Sequence, residues 1–382
     1  MFNKEIAGRL AKLRTPFYYY DMDMLDTTLR LIRKEAYRYD YKIHYALKSN
    51  ANEKILSKIS SSGLGADCVS GNEILMALKT GFHVKDIVFA GVGKTDEEII
   101  IGINNDIFCF NVESIQEMEV IDKLSSERKY ASRIALRINP DIEAFTHKYI
   151  TTGIEETKFG INIWELDNVI EKLHSLKNIE LISLHFHIGS QIKRMNAFKS
   201  LCSRVNEIQT WFENRNITID HINVGGGLGI DYDKPDEIPD FEEYFGIFND
   251  LLELRSGQTV HFEPGRSVTG QTGSLITRVV YIKDGSHTNF AIVDAGMTDL
   301  IRPALYQAHH KIENISSDKS PGKYSVVGPI CESSDSFGKY IELPLTKRGD
   351  LLAIRSAGAY GEVMTSNYNL RDKAPAVFSG DL

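Results

Sequence analysis

The chain is poor in cysteine: Cys68, Cys109, Cys202 and Cys331 are the only four in 382 residues, and no two stand in a Cys-x-x-Cys pair. That spacing argues against a disulfide framework and a zinc knuckle. Free thiols suit a reducing compartment, and the cytoplasm is the expected location. No apolar run reaches the ~18 residues a membrane-spanning helix needs, so no membrane partner is expected. The opening Met1-Phe2-Asn3-Lys4-Glu5 carries no apolar signal-peptide stretch. Positive charge is in deficit: 44 Lys and Arg against 52 Asp and Glu give a formal charge of -8. Such a balance disfavours a nucleic acid or an anionic membrane surface as partner. The one glycine-rich stretch, Gly225-Gly226-Gly227-Leu228-Gly229, lacks the lysine-threonine ending of a nucleotide P-loop and the spacing of a dinucleotide fingerprint.

What is present is ordinary globular material, 42% hydrophobic and 25% charged, with length for one large core and a smaller second domain. Short apolar runs recur at 42–46, 65–69, 87–90, 107–111, 133–138, 181–188, 222–224 and 260–263. Helical patterns lie between most of them. An early helix, 24–37, carries Leu25, Leu29, Ile32 and Ala36 on one face, and another follows at 53–60. Ser70 with Glu73, Thr95 with Glu98 and Ser114 with Glu117 read as capping boxes. Strand alternating with helix implies a parallel sheet covered by helices, and a count near eight favours a closed (β/α)8 barrel of the TIM type. After Arg266 the texture becomes β-like, with runs at 274–282, 290–293, 324–327, 350–354 and 376–378, so a C-terminal antiparallel β domain is expected. The run 17–20 is strand-like and is expected to join it. The expected domains are 1–23 as an N-terminal strand of the β domain, 24–268 as the barrel and 269–382 as the C-terminal β domain.

Barrel active sites lie at the carboxyl ends of the strands. Standing there are Lys48, Asp67, Gly91, Asn111, Arg137, His187, Gly225 to Gly227 and Glu263. Lys48, in Tyr45-Ala46-Leu47-Lys48-Ser49-Asn50, is the most informative. A lysine set against apolar walls loses solvation, its pKa falls, and its neutral amine becomes available to form a Schiff base. The glycine turn brings backbone N–H groups close enough to cradle a phosphate, at the loop position where barrels hold phosphates. Strand alternation places His185 and His187 on one face, but no third ligand stands at metal spacing, and no metal is expected. Ser70 and Glu73 read equally as a plain helix cap.

Together these residues resemble the fold-type III pyridoxal-phosphate decarboxylases, barrel-plus-β-domain enzymes that include ornithine, arginine and diaminopimelate decarboxylases. The resemblance runs from Pro16 to Gly380. It implies pyridoxal 5'-phosphate as cofactor and Lys48 as its Schiff-base lysine, His187 as a flat ring stacked on it, and Ser190 with Gly225, Gly226 and Gly227 around its phosphate. It pairs Glu263 with the pyridine nitrogen. Gly265, Arg266 and Tyr360 are cofactor contacts by the same resemblance, and Asp67, Glu73 and Arg137 are supporting polar groups.

The second half narrows the substrate. Cys331-Glu332-Ser333-Ser334-Asp335 after Gly328-Pro329, Arg302-Pro303-Ala304-Leu305-Tyr306, and Gly358-Ala359-Tyr360-Gly361 with Ser366-Asn367-Tyr368-Asn369 are similar to the diaminopimelate decarboxylase branch. By that resemblance Arg266, Arg302 and Tyr306 bind the substrate's far carboxylate, Glu332 its far ammonium, and Tyr360 touches substrate and cofactor. Cys331 protonates the carbanion left after CO2 departs, and L-lysine is the product. Independently, Arg302 and Tyr306 stand i, i+4 and share a face if helical. Two guanidiniums hold one carboxylate by charge-assisted bonds. Leaving them unmatched at a buried end costs several kcal/mol, which disfavours ornithine and lysine as substrates. Arg302 also reads as an ion pair at a domain interface, and a lone Cys331 as a buried small hydrophobe. The resemblance implies a homodimer in which Cys331 and Glu332 come from the neighbouring subunit. The chain departs from the pattern at Ser334, where a glycine is expected, and connections between barrel strands are short. The nearest rival is carboxynorspermidine decarboxylase, with the same fold and cofactor. A non-catalytic pyridoxal-phosphate-binding homologue would lack one of Lys48, Cys331 or Glu263, and alanine racemase would need a tyrosine base instead of the Cys331 loop.

Overall fold

The computed structural model describes residues 2–142, 158–286 and 288–382. It divides into two compact units. One comprises Leu29–Gly229 and Asp240–Gly265; the other comprises Met1–Thr28, Ile230–Pro239 and Arg266–Leu382.

In the first unit the chain forms β2 (Lys42–Ala46), β3 (Gly65–Cys68), β4 (Ile87–Phe89), β5 (Cys109–Val112), β6 (Ser132–Asn139), β8 (Ile179–His185), β9 (His221–Asn223) and β10 (Thr259–Phe262), with a two-residue β7 (Ile161–Asn162) beside β6. Every neighbouring pair of the eight is parallel, and β10 pairs back onto β2, which closes the barrel. The expected alternation of strand and helix is therefore realised. The last helix, Phe241–Leu251, shows how it is built. Asp240 accepts the Glu243 N–H at 2.9 Å, and Glu242 and Glu243 sit in the first turn, where the helix dipole favours them. Phe241, Tyr244, Phe245 and Phe248 recur at helical spacing and are buried. Phe245 and Phe248 meet Phe262 of β10 edge-on at 4.8 and 5.0 Å between ring centroids.

The caps differ from expectation in one detail. Thr95 and Glu98 make the full reciprocal box. Ser70 and Ser114 each accept the N–H three residues on, but the partner glutamates reach back to the Val69 and Glu113 N–H groups, one residue before the cap. The glutamates thereby tie the strand ends, where Asp67 and Asn111 stand, to the helices that follow.

The first turns of the strands hold an internal histidine relay. His44 Nδ1 donates to the Asp86 carbonyl at 2.9 Å, so in the neutral ring His44 Nε2 accepts from His261 Nδ1 at 2.8 Å. His261 Nε2 then accepts from the Thr259 hydroxyl at 3.0 Å, which in turn accepts from His221 Nδ1 at 2.7 Å. His44 and His261 stack on Phe108. A side chain on Gly65 would strike both the His44 ring and the Asp86 carbonyl, so glycine there makes room for the relay. With all three rings neutral, every donor in this relay has one acceptor. Burial lowers the pKa of His44, His221 and His261, and the neighbouring rings push the same way. A lowered folded pKa gives stability that is present above the unfolded value of ~6.5 and is lost as pH falls through the folded values. Each tenfold weakening of proton binding in the folded state is worth ~1.4 kcal/mol. Buried Asp67 and Glu73 have raised pKa values and so work in the opposite direction. Comparison with His261→Gln, whose amide makes both relay bonds but does not titrate, isolates the histidine part. Between pH 7 and pH 5 the urea midpoint should fall more steeply in the parent than in this variant; equal slopes would remove the relay as the source.

The second unit is an eight-stranded sheet of β1 (Phe17–Tyr20), β11 (Gly273–Lys283), β12 (Asn289–Val293), β13 (Ile312–Asn314), β14 (Pro321–Val327), β15 (Ser336–Pro344), β16 (Leu351–Ile354) and β17 (Ala376–Phe378). The N-terminal strand joins it as expected, antiparallel to β11. The sheet is mixed: antiparallel except for the pairs β1 with β17 and β12 with β14. Among the described residues no helix is long and apolar enough to cross a membrane.

Candidate active site

Lys48 sits in a single 3-10 turn, Leu47–Ser49, directly after β2. The turn is pinned from below. Ser49 Oγ lies 2.8 Å from the Ala46 carbonyl and 2.9 Å from the Tyr45 hydroxyl, which donates to the Asn50 carbonyl at 3.1 Å. Gly265 packs against the same turn, where a Cβ would come 3.0–3.1 Å from Ser49 and Ala46. The Lys48 amine stands 3.4 Å from Asp67 Oδ2, with 39% of its side chain exposed. Its neighbour is thus a buried carboxyl group, and the side chain is partly exposed, where the sequence led one to expect apolar walls. Burial raises the Asp67 pKa, and Lys48 opposes that rise.

Glu263, just past β10, is the anchored acid of the barrel. Asn223 and Asn111 donate to Oε1 at 2.7 and 3.1 Å, and His185 lies 3.0 Å from Oε2. Burial alone would raise its pKa, but His185, Lys48 and His187 hold it below the ordinary carboxylate range. The carboxylate stays charged because three strands each supply it a partner. Of these partners, Asn111 was legible at a strand end, whereas Asn223 and the role of His185 emerge only from the closed barrel.

His187 and Ser190 lie on the loop after β8, both partly exposed. The strand stops at His185, two residues before His187. The Gly226 N–H donates to His187 Nδ1 at 3.3 Å, and burial with the nearby Arg137 and Lys48 charges lowers the His187 pKa well below its usual value. The lowered pKa keeps the ring neutral, and Nδ1 ties it to the glycine turn. Within that turn, Gly225 and Gly227 have φ of +71° and +107°, and a Cβ at Gly225 or Gly226 would collide with the Phe186 or Glu263 carbonyl. The Gly225 N–H is taken by Asn223 Oδ1 at 2.9 Å. Among the described residues Gly227 N–H meets no protein acceptor, so of the three amides it is the one left to an anion. Arg137, at the end of β6, pairs with Glu113 at 2.7 Å beneath the Phe159 ring.

A lysine amine, a charged buried carboxylate, a neutral imidazole and an unmatched glycine amide at the ends of adjacent strands fit a pyridoxal phosphate. Lys48 would hold its aldehyde carbon, Glu263 its ring nitrogen, His187 its face and the Gly227 turn with Ser190 its phosphate. Among the described residues no group of three or more His, Cys, Asp or Glu is arranged to hold a metal.

The second unit carries the rest of the expected residues. Arg266 opens a short helix, Arg266–Thr269, and Arg302 opens another, Arg302–Tyr306. Both arginines are buried, and Tyr306, one turn after Arg302, is partly exposed. Arg302 meets no carboxylate among the described residues, which sets aside the reading as an ion pair. Its guanidinium and that of Arg266 both donate to the Tyr232 hydroxyl, at 2.6 and 2.7 Å. The Arg266 guanidinium lies 4.7 Å over the Tyr360 ring. Tyr360 takes a left-handed backbone, φ +56°.

Cys331 and Glu332 are exposed, so the reading of Cys331 as a buried hydrophobe does not hold. Their loop is fastened by the buried Asp335, which accepts the Ile330 and Met297 N–H groups at 2.6 and 2.7 Å. Gly328 is required beside it, because a Cβ there would occupy the place of the Asp335 carboxylate. Ser334, the departure from the family pattern, points its hydroxyl to Met297 Sδ at 3.7 Å and leaves the Asp335 bonds intact. Glu332 accepts from the Tyr368 hydroxyl at 2.8 Å.

Residues 24–270 match the family described as "Pyridoxal-dependent decarboxylase, pyridoxal binding domain". This is the class that the barrel and its lysine define. A curated diaminopimelate decarboxylase of Bacteroides thetaiotaomicron is 56% identical over 373 residues, covering 97% of each chain. One from Aquifex aeolicus is 39% identical over 98% of this chain and 88% of its own. The crystal structure of diaminopimelate decarboxylase from Helicobacter pylori complexed with L-lysine superposes with a TM-score of 0.93 at 38% identity, covering 100% of this chain and 95% of that one. The chain belongs to the diaminopimelate decarboxylase family of pyridoxal-dependent decarboxylases.

Proposed function

We propose that the protein decarboxylates meso-2,6-diaminopimelate to L-lysine and CO2 with pyridoxal 5'-phosphate as cofactor. The observation that carries the substrate is the arginine pair. Arg302 is buried and meets no carboxylate among the described residues, and it shares one tyrosine hydroxyl with a second buried arginine, Arg266. A carboxylate that survives the reaction matches that charge. The H. pylori relative, crystallised with L-lysine, supports the same end product.

Pyridoxal phosphate, when bound, supplies an electron sink for the bond pair released as CO2 leaves. Lys48 would hold the cofactor through its amine. Glu263, held ionised by His185, Asn111 and Asn223, keeps a proton on the ring nitrogen. His187 would cover the ring face, Ser190, Gly225 to Gly227 and Gly265 would hold the phosphate end, and Asp67 and Arg137 would support the cofactor. Arg266, Arg302 and Tyr306 hold the far carboxylate, and Tyr360 lines the substrate. Glu332 accepts from the far ammonium. Cys331 delivers a proton to the carbon that lost its carboxylate. In this reading the working unit is a homodimer in which each subunit lends this loop to its partner, and the exposure of Cys331 and Glu332 on their own chain supports it.

The test assays purified protein, loaded with pyridoxal phosphate, on meso-diaminopimelate and on carboxynorspermidine in parallel. Release of CO2 with stoichiometric L-lysine is expected from the first, at a kcat/KM at least about a hundredfold above the second, since unmatched buried charges penalise the wrong tail. The reverse preference would assign the rival activity.

A further inference from the structure

Tyr232 belongs to none of the motifs that carry the family resemblance. It stands in the stretch Ile230–Pro239, which packs with the β domain. Its hydroxyl oxygen accepts one hydrogen bond from Arg266 Nη1 at 2.7 Å and one from Arg302 Nη1 at 2.6 Å. The ring is clamped as well: the Arg302 guanidinium lies 5.3 Å over its face, and His310 meets it edge-on at 5.1 Å. His310 is oriented in turn. Its Nδ1 donates to the Arg355 carbonyl at 2.8 Å, which leaves Nε2 as an acceptor 3.3 Å from Arg302 Nη1. His310 is therefore neutral and adds no third positive charge; burial and Arg302 keep its pKa at about 3.

Arg302 is buried and meets no carboxylate among the described residues, and a buried cation held beside a second one on a neutral oxygen costs energy unless an anion joins them. A hydroxyl has two lone pairs and one proton. Both lone pairs of Tyr232 are filled by guanidinium donors, and among the described residues no acceptor takes its proton. We propose that Tyr232 is the positioning and specificity-determining residue of the far-carboxylate receptor: it holds Arg266 and Arg302 side by side and donates its own proton to the same carboxylate. The two guanidiniums also lower the Tyr232 pKa in spite of burial, which makes its O–H a stronger donor. This inference rests on the assignment of Arg266 and Arg302 to that carboxylate.

The experiment uses the pyridoxal-phosphate-loaded enzyme and two probes that differ only at that group, L-lysine and cadaverine, which is lysine without its carboxylate. In Tyr232→Phe the inhibition constant of L-lysine and the KM of meso-diaminopimelate should both rise about tenfold, the loss of one hydrogen bond to a charged group, while kcat falls less than about threefold. The cadaverine constant should stay within about twofold, since it makes no use of the receptor. The ratio of the two constants is read within one protein, so a general loosening of the fold moves both and leaves the ratio unchanged. An unchanged ratio overturns the proposal. Arg302→Met separates the two levels. If it weakens L-lysine and Tyr232→Phe does not, Tyr232 alone is misassigned; if neither weakens L-lysine, the receptor itself is misassigned.

Discussion

Lys48→Ala abolishes the ~420 nm absorbance expected of pyridoxal phosphate joined to a lysine, and decarboxylation falls by roughly 10³-fold or more. The size of the effect follows from geometry. Lys48 is presented by a turn whose every neighbour is fixed: Ser49 to Ala46, Tyr45 to Asn50, and Gly265 packed beneath. A lysine elsewhere cannot replace it, because Asp67 and Glu263 shape the charge only at this point. The fold should survive. Asp67 is left without its lysine, but burial already raises its pKa, so it takes a proton instead of remaining a bare buried charge. Borohydride treatment of the parent protein followed by peptide mapping should place a pyridoxyl group on Lys48. A label on any other lysine, or a variant that keeps its colour and activity, would falsify the assignment.

The second large effect is gained by mixing two dead proteins. Lys48→Ala lacks the cofactor lysine, and Cys331→Ala lacks the proton donor. If each site draws Lys48 from one subunit and Cys331 from the other, a mixed dimer has one site with both defects and one with neither. Random exchange puts half of the protein into mixed dimers with half of their sites intact, so about a quarter of the parent activity should return. The exposed Cys331 and Glu332, on a loop fastened by Asp335, are placed to be given away. Dimers carrying two different tags, purified over both, would confirm that exchange has occurred. Exchanged dimers with no activity would end the shared-site reading.

The barrel was legible because parallel strands buried on both faces are written as continuous apolar runs, separated by helices with their own start signals. All eight runs became strands within a few residues. What escaped were β7, β13 and β15. β7 has two residues, β13 three, and β15 buries only Phe337 and Leu343 with no regular alternation, so each owes its state to the neighbour it pairs with. Strand direction in the β domain was equally invisible. β17 runs parallel to β1 because of where the chain returns, not because of what Ala376 to Phe378 contain.

The site divides along the same line. Lys48, Asp67, Arg137 and Glu263 stand at strand ends, a position that periodicity alone marks. Asn223, His185 and Glu113 stand at strand ends too, but their partners are not readable there; they matter because closing the barrel brings β8 and β9 beside the end of β10, and β5 beside β6. Tyr232 is the clearest case, an ordinary tyrosine in a polar loop until Arg266 and Arg302, 34 and 70 residues away, both donate to it. By itself the amino-acid order determined which segments become the eight barrel strands, which charged groups stand at their ends and which cofactor chemistry they suit, since those depend on local propensity and the periodicity of burial. Tertiary structure alone decided which carboxylate is held ionised and which hydroxyl lies between two cations, because these depend on distances between residues remote in the chain.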